Sequence, residues 1–79
     1  MANVNDNELS ARTQNKMIAA WLEAGSTLTS LEALRHFGCM RLASRIYDLR
    51  SQHGMDIRNR RVKTATGKTV CEYYLNMES

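Results

Sequence analysis

Apolar residues recur at helical spacing through the first two thirds of this chain and alternate through the last third. From Thr13, the apolar positions Met17, Ile18, Trp21 and Leu22 fall at i, i+1, i+4 and i+5, with Asn15, Lys16, Ala19 and Glu23 on the outer side. This predicts a helix closed by Gly25, with Trp21, the largest apolar side chain, as a core anchor. Ser26-Thr27-Leu28 suits a short edge strand with Leu28 inward. A second helix starts at a capping box, in which the Thr29 hydroxyl accepts from the Glu32 amide and the Glu32 carboxylate accepts from the Thr29 amide. Its expected core face is Leu31, Leu34 and Phe37, with Arg35 and His36 outward.

Phe37-Gly38-Cys39 predicts a tight turn, because Gly38 can take the positive φ that ends one helix while Cys39 and Met40 open the next. In the third helix Leu42, Ala43, Ile46 and Leu49 occupy about one third of the wheel at 100° per residue. Arg41, Ser44, Arg45, Asp48 and Gln52 are expected across from them. Arg50 falls next to Ala43 on the wheel and is expected to be structural, with its stem buried and its head paired to an acid such as Glu23. Gly54 caps this helix, and the period then changes from 3.6 to 2.

Ile57–Thr64 and Thr69–Leu75 are rich in Val, Thr and Tyr and flank the turn Ala65–Lys68, a hairpin pattern. With Thr66-Gly67 at its tip, Val62 faces Cys71, Arg60 faces Tyr73, and Arg61 faces Glu72 as an ion pair. Val62, Cys71, Tyr73 and Leu75 then share the inner face, and Ile57 has the wrong parity for it. Either Ile57 packs before the ladder starts or a bulge near Arg58–Arg60 resets the strand.

Length allows one small domain, expected over residues 12–76, between a disordered polar tail at 1–11 and a short tail at 77–79. The chain lacks the long apolar run of a membrane span, and its polar start is unlike a signal peptide, so a cytosolic location is expected. Cys39 and Cys71 are expected to be reduced, small buried hydrophobes. Net charge is +3 but unevenly placed. Arg35–Lys68 holds nine lysines and arginines against two acids, a balance of +7, and the rest of the chain stands at −4. A basic half of this kind suits a polyanion.

Helix, short strand, helix, turn, helix, hairpin is the order of a winged helix-turn-helix: mainly α with a β-hairpin (α+β), three helices and a two- to three-stranded antiparallel wing. Residues 14–75 also resemble the small helix-turn-helix domain family of bacteriophage and prophage genomes. The most specific pieces are RLASRIYDLR (Arg41–Arg50) and the turn and strand from Thr64 to Tyr73. The resemblance implies a DNA-binding fold and a phage or prophage transcriptional regulator in the bacterial cytoplasm.

The residues support double-stranded DNA as the partner on their own chemistry. A helix of this length fits the major groove, where Met40, Arg41, Ser44 and Arg45 would meet base edges and Arg could bond guanine bidentately. Asp48 would accept from a cytosine amino group or hold Arg45 at i, i+3. Arg58, Arg60, Arg61, Lys63 and Lys68 would contact phosphates or the minor groove. The bland alternative has Arg58 and Arg60 snorkelling over the sheet while Arg61 pairs with Glu72. A second reading is a winged-helix protein-interaction module, such as a small phage inhibitor of a host nucleic-acid-binding complex, with Met40 and Met55 as adaptable contacts. Homodimerisation is left open.

No enzymatic motif, phosphate loop or paired-carboxylate spacing is present. His36, Cys39, His53 and Cys71 have one short-spaced pair across a tight turn, which is not zinc-ligand spacing, and no cofactor is expected.

Overall fold

Ser10 caps the first helix, α1 (Ala11–Glu23), its hydroxyl accepting from the Thr13 amide at 3.2 Å. The structure, a computed structural model, describes residues 10–77. Most of the expected tail, residues 1–9, lies outside that range, but Ser10 and Ala11 already belong to the helix start. Ile18 and Leu22 of α1 are fully buried, each stabilising by about 1.5–3 kcal/mol relative to exposure. Trp21 is half-buried against the core, its Nε1–H donating to the Thr27 carbonyl at 2.8 Å and its ring edge-on to Phe37.

The edge strand, β1 (Leu28–Thr29), keeps only Leu28 of the expected Ser26–Leu28 segment, and the next helix is α2 (Ser30–Phe37). The capping box forms as read: Glu32 N–H to Thr29 Oγ1 at 3.3 Å and Thr29 N–H to Glu32 Oε1 at 2.9 Å. Its core face differs from expectation. Ala33 and Phe37 are buried, whereas Leu31 and Leu34 are 57% and 47% exposed. Ala33 and Phe37 lie one turn apart on one stripe, which turns Leu31 and Leu34 toward solvent.

Gly38 turns the chain with φ 63°. The buried Gln14 side chain donates from Nε2 to the Gly38 carbonyl at 3.4 Å and ties this turn to α1. Cys39 is buried, and the third helix, α3 (Leu42–Gln52), starts two to three residues later than Cys39 and Met40 suggested. Gly54, with φ 62°, follows its end.

The hairpin strands are β2 (Ile57–Lys63) and β3 (Thr69–Leu75), and the antiparallel sheet runs β1-β3-β2. Its register is one residue from the expected one. Val62 faces Val70, Arg61 faces Cys71, Arg60 faces Glu72, and Ile57 faces Leu75. The connecting turn explains the slip. Thr64 N–H donates to the Lys68 carbonyl at 2.7 Å, leaving Ala65-Thr66-Gly67 as a three-residue loop with Gly67 at φ 87°. An odd loop moves every partner by one, so Ile57 needs no bulge and is buried, while Val62 moves to the outer face.

Three helices and a three-stranded antiparallel sheet give the expected winged helix-turn-helix architecture. Its core joins Ile18, Leu22, Leu28, Phe37, Ile46 and Leu49 with Ile57 from the wing base.

Candidate nucleic-acid interface

Leu42, Ile46 and Leu49 anchor α3 by its buried stripe, and Ala43, expected in that stripe, is exposed. Without Ala43 the core direction turns by about 20° on the wheel toward Arg45. Arg45 therefore sits on the flank of α3, about 65–70° from the stripe, rather than across from it. Its side chain is 18% exposed, with Nε 3.4 Å from Asp48 Oδ2. That N–H has no aligned hydrogen-bond acceptor, so the contact is an ion pair. Asp48 Oδ2 also accepts from Asn15 Nδ2 of α1 at 3.3 Å. Of the two roles considered for Asp48, the i, i+3 hold on Arg45 is the one this geometry contains.

The side of α3 turned to solvent is Ala43, Ser44, Tyr47 and Ser51, continued at the helix start by Met40 and Arg41. Tyr47 is 68% exposed and Met40 73%. Tyr47 was missed in the sequence, although its wheel position, about 130° from the buried stripe, marks it once Ala43 is removed from the apolar set. Ser51 Oγ donates to the Tyr47 carbonyl at 2.8 Å, so its proton is used within the helix. Arg50 reaches the wing base, donating from Nε to the Ile57 carbonyl at 2.8 Å. Its head is bonded within the fold as expected, but the residue is exposed rather than stem-buried and its partner is that carbonyl rather than Glu23.

The register divides the wing cations between two faces. Ile57 is buried on the helix side of the sheet, and alternation puts Asn59, Arg61 and Lys63 on that same side. Arg58 and Arg60 lie on the other. Arg58 pairs with Asp56 at 3.3 Å. Arg60, not Arg61, pairs with Glu72, at 3.0 Å, and its guanidinium sits 4.8 Å from the Tyr74 ring centroid. Among the described residues, no ion pair or hydrogen bond engages the charged groups of Arg61, Lys63 or Lys68, and the Lys68 backbone amide donates to the Thr64 hydroxyl. Hydrogen bonds from Asn76 and Arg58 hold the Asp56 carboxyl below its ordinary range.

The described residues contain no cluster of three or more potential metal ligands. Cys39 is buried and Cys71 exposed, contrary to the expectation that both are buried, and both are free thiols. His36 is exposed, with its ring 4.9 Å from that of Trp21. An open groove between α1 and α3 is lined by Asn15, Lys16, Asp48, Gln52 and His53, and neither Arg45 nor Tyr47 lines it. No described helix is long and apolar enough to cross a membrane.

A family model described as a winged helix-turn-helix domain matches residues 13–78, most of the chain. No curated protein and no solved structure shows a significant match.

Proposed function

This chain belongs to the winged helix-turn-helix domain family, and from that premise we propose that it binds double-stranded DNA. The solvent face of α3 enters the major groove, and the wing contacts the flanking backbone. The observation that carries this reading is the state of the wing charges. Arg61, Lys63 and Lys68 are exposed cations without a protein partner among the described residues, on a strand and loop beside the helix that the fold exposes. Cations left unneutralised in this way suit phosphates, each contact releasing a counterion. Arg41, exposed at the start of α3, adds a cation at the groove edge. Met40, Ser44 and Tyr47 complete the contact surface. Arg45 and Asp48 support it from the flank, and Arg58 and Arg60 have their charges answered elsewhere.

The finer reading is a phage or prophage transcriptional regulator acting in the bacterial cytoplasm, and it rests on the resemblance of Arg41–Arg50 and Thr64–Tyr73 to that family. A second reading, contact with a protein or a second copy of the chain, is favoured by the exposed Leu31 and Leu34 on α2. An electrophoretic titration against random duplex DNA at two salt concentrations tests the first reading. Affinity that falls steeply with salt supports it, and affinity absent even at low salt defeats it. In the second case a Leu34→Glu variant in a sedimentation or pull-down assay tests the α2 face.

A further inference from the structure

The centre of the α3 solvent face is short of the groups that read guanine and adenine. Guanine is read in the major groove chiefly by Arg or Lys, and adenine by Asn or Gln. Arg41 is exposed, but it precedes the first turn and stands at the groove edge rather than at the centre of the face. On α3 itself, Arg45 is held in its ion pair with Asp48 and Arg50 is bonded to the Ile57 carbonyl. Gln52 lies at the far end, lining the α1–α3 groove. What remains at the centre is the Ala43 methyl, the Tyr47 ring one turn along on the same side, the Met40 side chain before the helix, and the Ser44 hydroxyl. Three of these four offer apolar surface, and a hydroxyl discriminates poorly between bases.

The group a base pair presents to an apolar surface in the major groove is the C5-methyl of thymine. Resting on the DNA-binding reading proposed above, we infer that the centre of α3 selects thymine methyl groups, with Tyr47 as the principal specificity-determining residue and Met40 and Ala43 completing the apolar contact. Arg45 is then a positioning residue: it pairs with the Asp48 carboxylate, which accepts from Asn15 of α1 and so supports the orientation, set by the buried Leu42, Ile46 and Leu49, that leaves Tyr47 outward. An arginine on the outward stripe would have favoured guanine at the same place.

The test uses the full chain. Preferred duplexes are selected from a random pool, and each thymine of the best duplex is replaced in turn by deoxyuridine, which removes only the methyl. Uracil at one or two central positions is expected to weaken binding about fourfold each, the value of one buried methyl-sized group. Tyr47→Ala should erase most of that penalty and Tyr47→Phe should keep it, with the salt slope unchanged in both because neither alters a charge. Because Tyr47 is largely exposed, both variants should melt with the parent. Selective binding that ignores uracil everywhere, a uracil penalty that persists in Tyr47→Ala, or a selection without any preferred sequence overturns the methyl reading and leaves DNA binding standing. A parent without salt-dependent affinity for any duplex overturns both.

Discussion

The recognition helix and the wing are both rich in arginine, and they use it differently. In α3, Arg45 and Arg50 leave the helix from the two flanks of its buried stripe and are taken up by Asp48 and by the Ile57 carbonyl. In the wing, strand alternation sends Arg58 and Arg60 to one face, where Asp56, Glu72 and Tyr74 meet them, and Arg61 and Lys63 to the other, where no described partner does. Side-chain direction thus separates structural from available charge, and the +7 balance of the Arg35–Lys68 stretch overstates the contact surface.

The two regions share one platform, so the largest expected effect removes both. Ile46→Ala opens a hole beneath α3 and beside the wing base and should cost about 2–5 kcal/mol, a large part of the stability of so small a domain. Thermal melting should show a drop of many degrees; an unchanged melt would take Ile46 out of the core. Next in size are changes that touch one region only. Arg45→Ala leaves Asp48 partly buried without its cation and should cost about 1–3 kcal/mol in denaturant unfolding. An Arg45→Ala variant as stable as its parent would mean that this arginine is free after all. Gly67→Ala places a Cβ in open space but at φ 87°, so its cost of about 1–2 kcal/mol comes from the backbone alone. Cross-strand contacts between Lys63 and Thr69 should weaken while α3 amides keep their exchange protection; loss of protection in α3 would join the two regions into one unit.

How much of this was legible in the sequence follows the same division. The capping box, the Gly38 turn and the two-period pattern identified every element, because each depends on residues within one or two turns of each other. The hairpin register was not legible. Thr64–Lys68 accommodates a two- or a three-residue loop, and only the Thr64–Lys68 backbone bond decides between them. That single residue reassigned the Glu72 partner from Arg61 to Arg60 and turned Val62 outward. On α3, one misplaced alanine was enough to hide Tyr47 and to make Arg45 look exposed. On α2, the leucine spacing suggested a core face of Leu31, Leu34 and Phe37, but the buried stripe joins Phe37 to Ala33 and leaves both leucines exposed.

The smallest expected effect lies at the wing base. Asp56 titrates below the ordinary carboxylate value of about 3.9 because Asn76 and Arg58 bond its charged form. The sign follows from the depressed folded value: this contribution is present above the unfolded midpoint and is lost as pH falls through the lower folded one. Carbon-detected titration of Asp56 should give a midpoint below 3.9 that rises in Asn76→Ala, and an ordinary midpoint in the parent would dissolve the clamp.

The comparison between engaged and available cations is tested most directly by the salt dependence of duplex binding in two double variants. Arg61→Ala/Lys63→Ala should reduce the slope of log affinity against log salt by about two units, since each contact releases roughly one counterion. Arg58→Ala/Arg60→Ala, with the same formal charge change, should leave that slope within a few tenths of the parent's. Equal reductions in the two variants, or a larger one for Arg58 and Arg60, would contradict the assignment of the helix-side face of the wing to DNA.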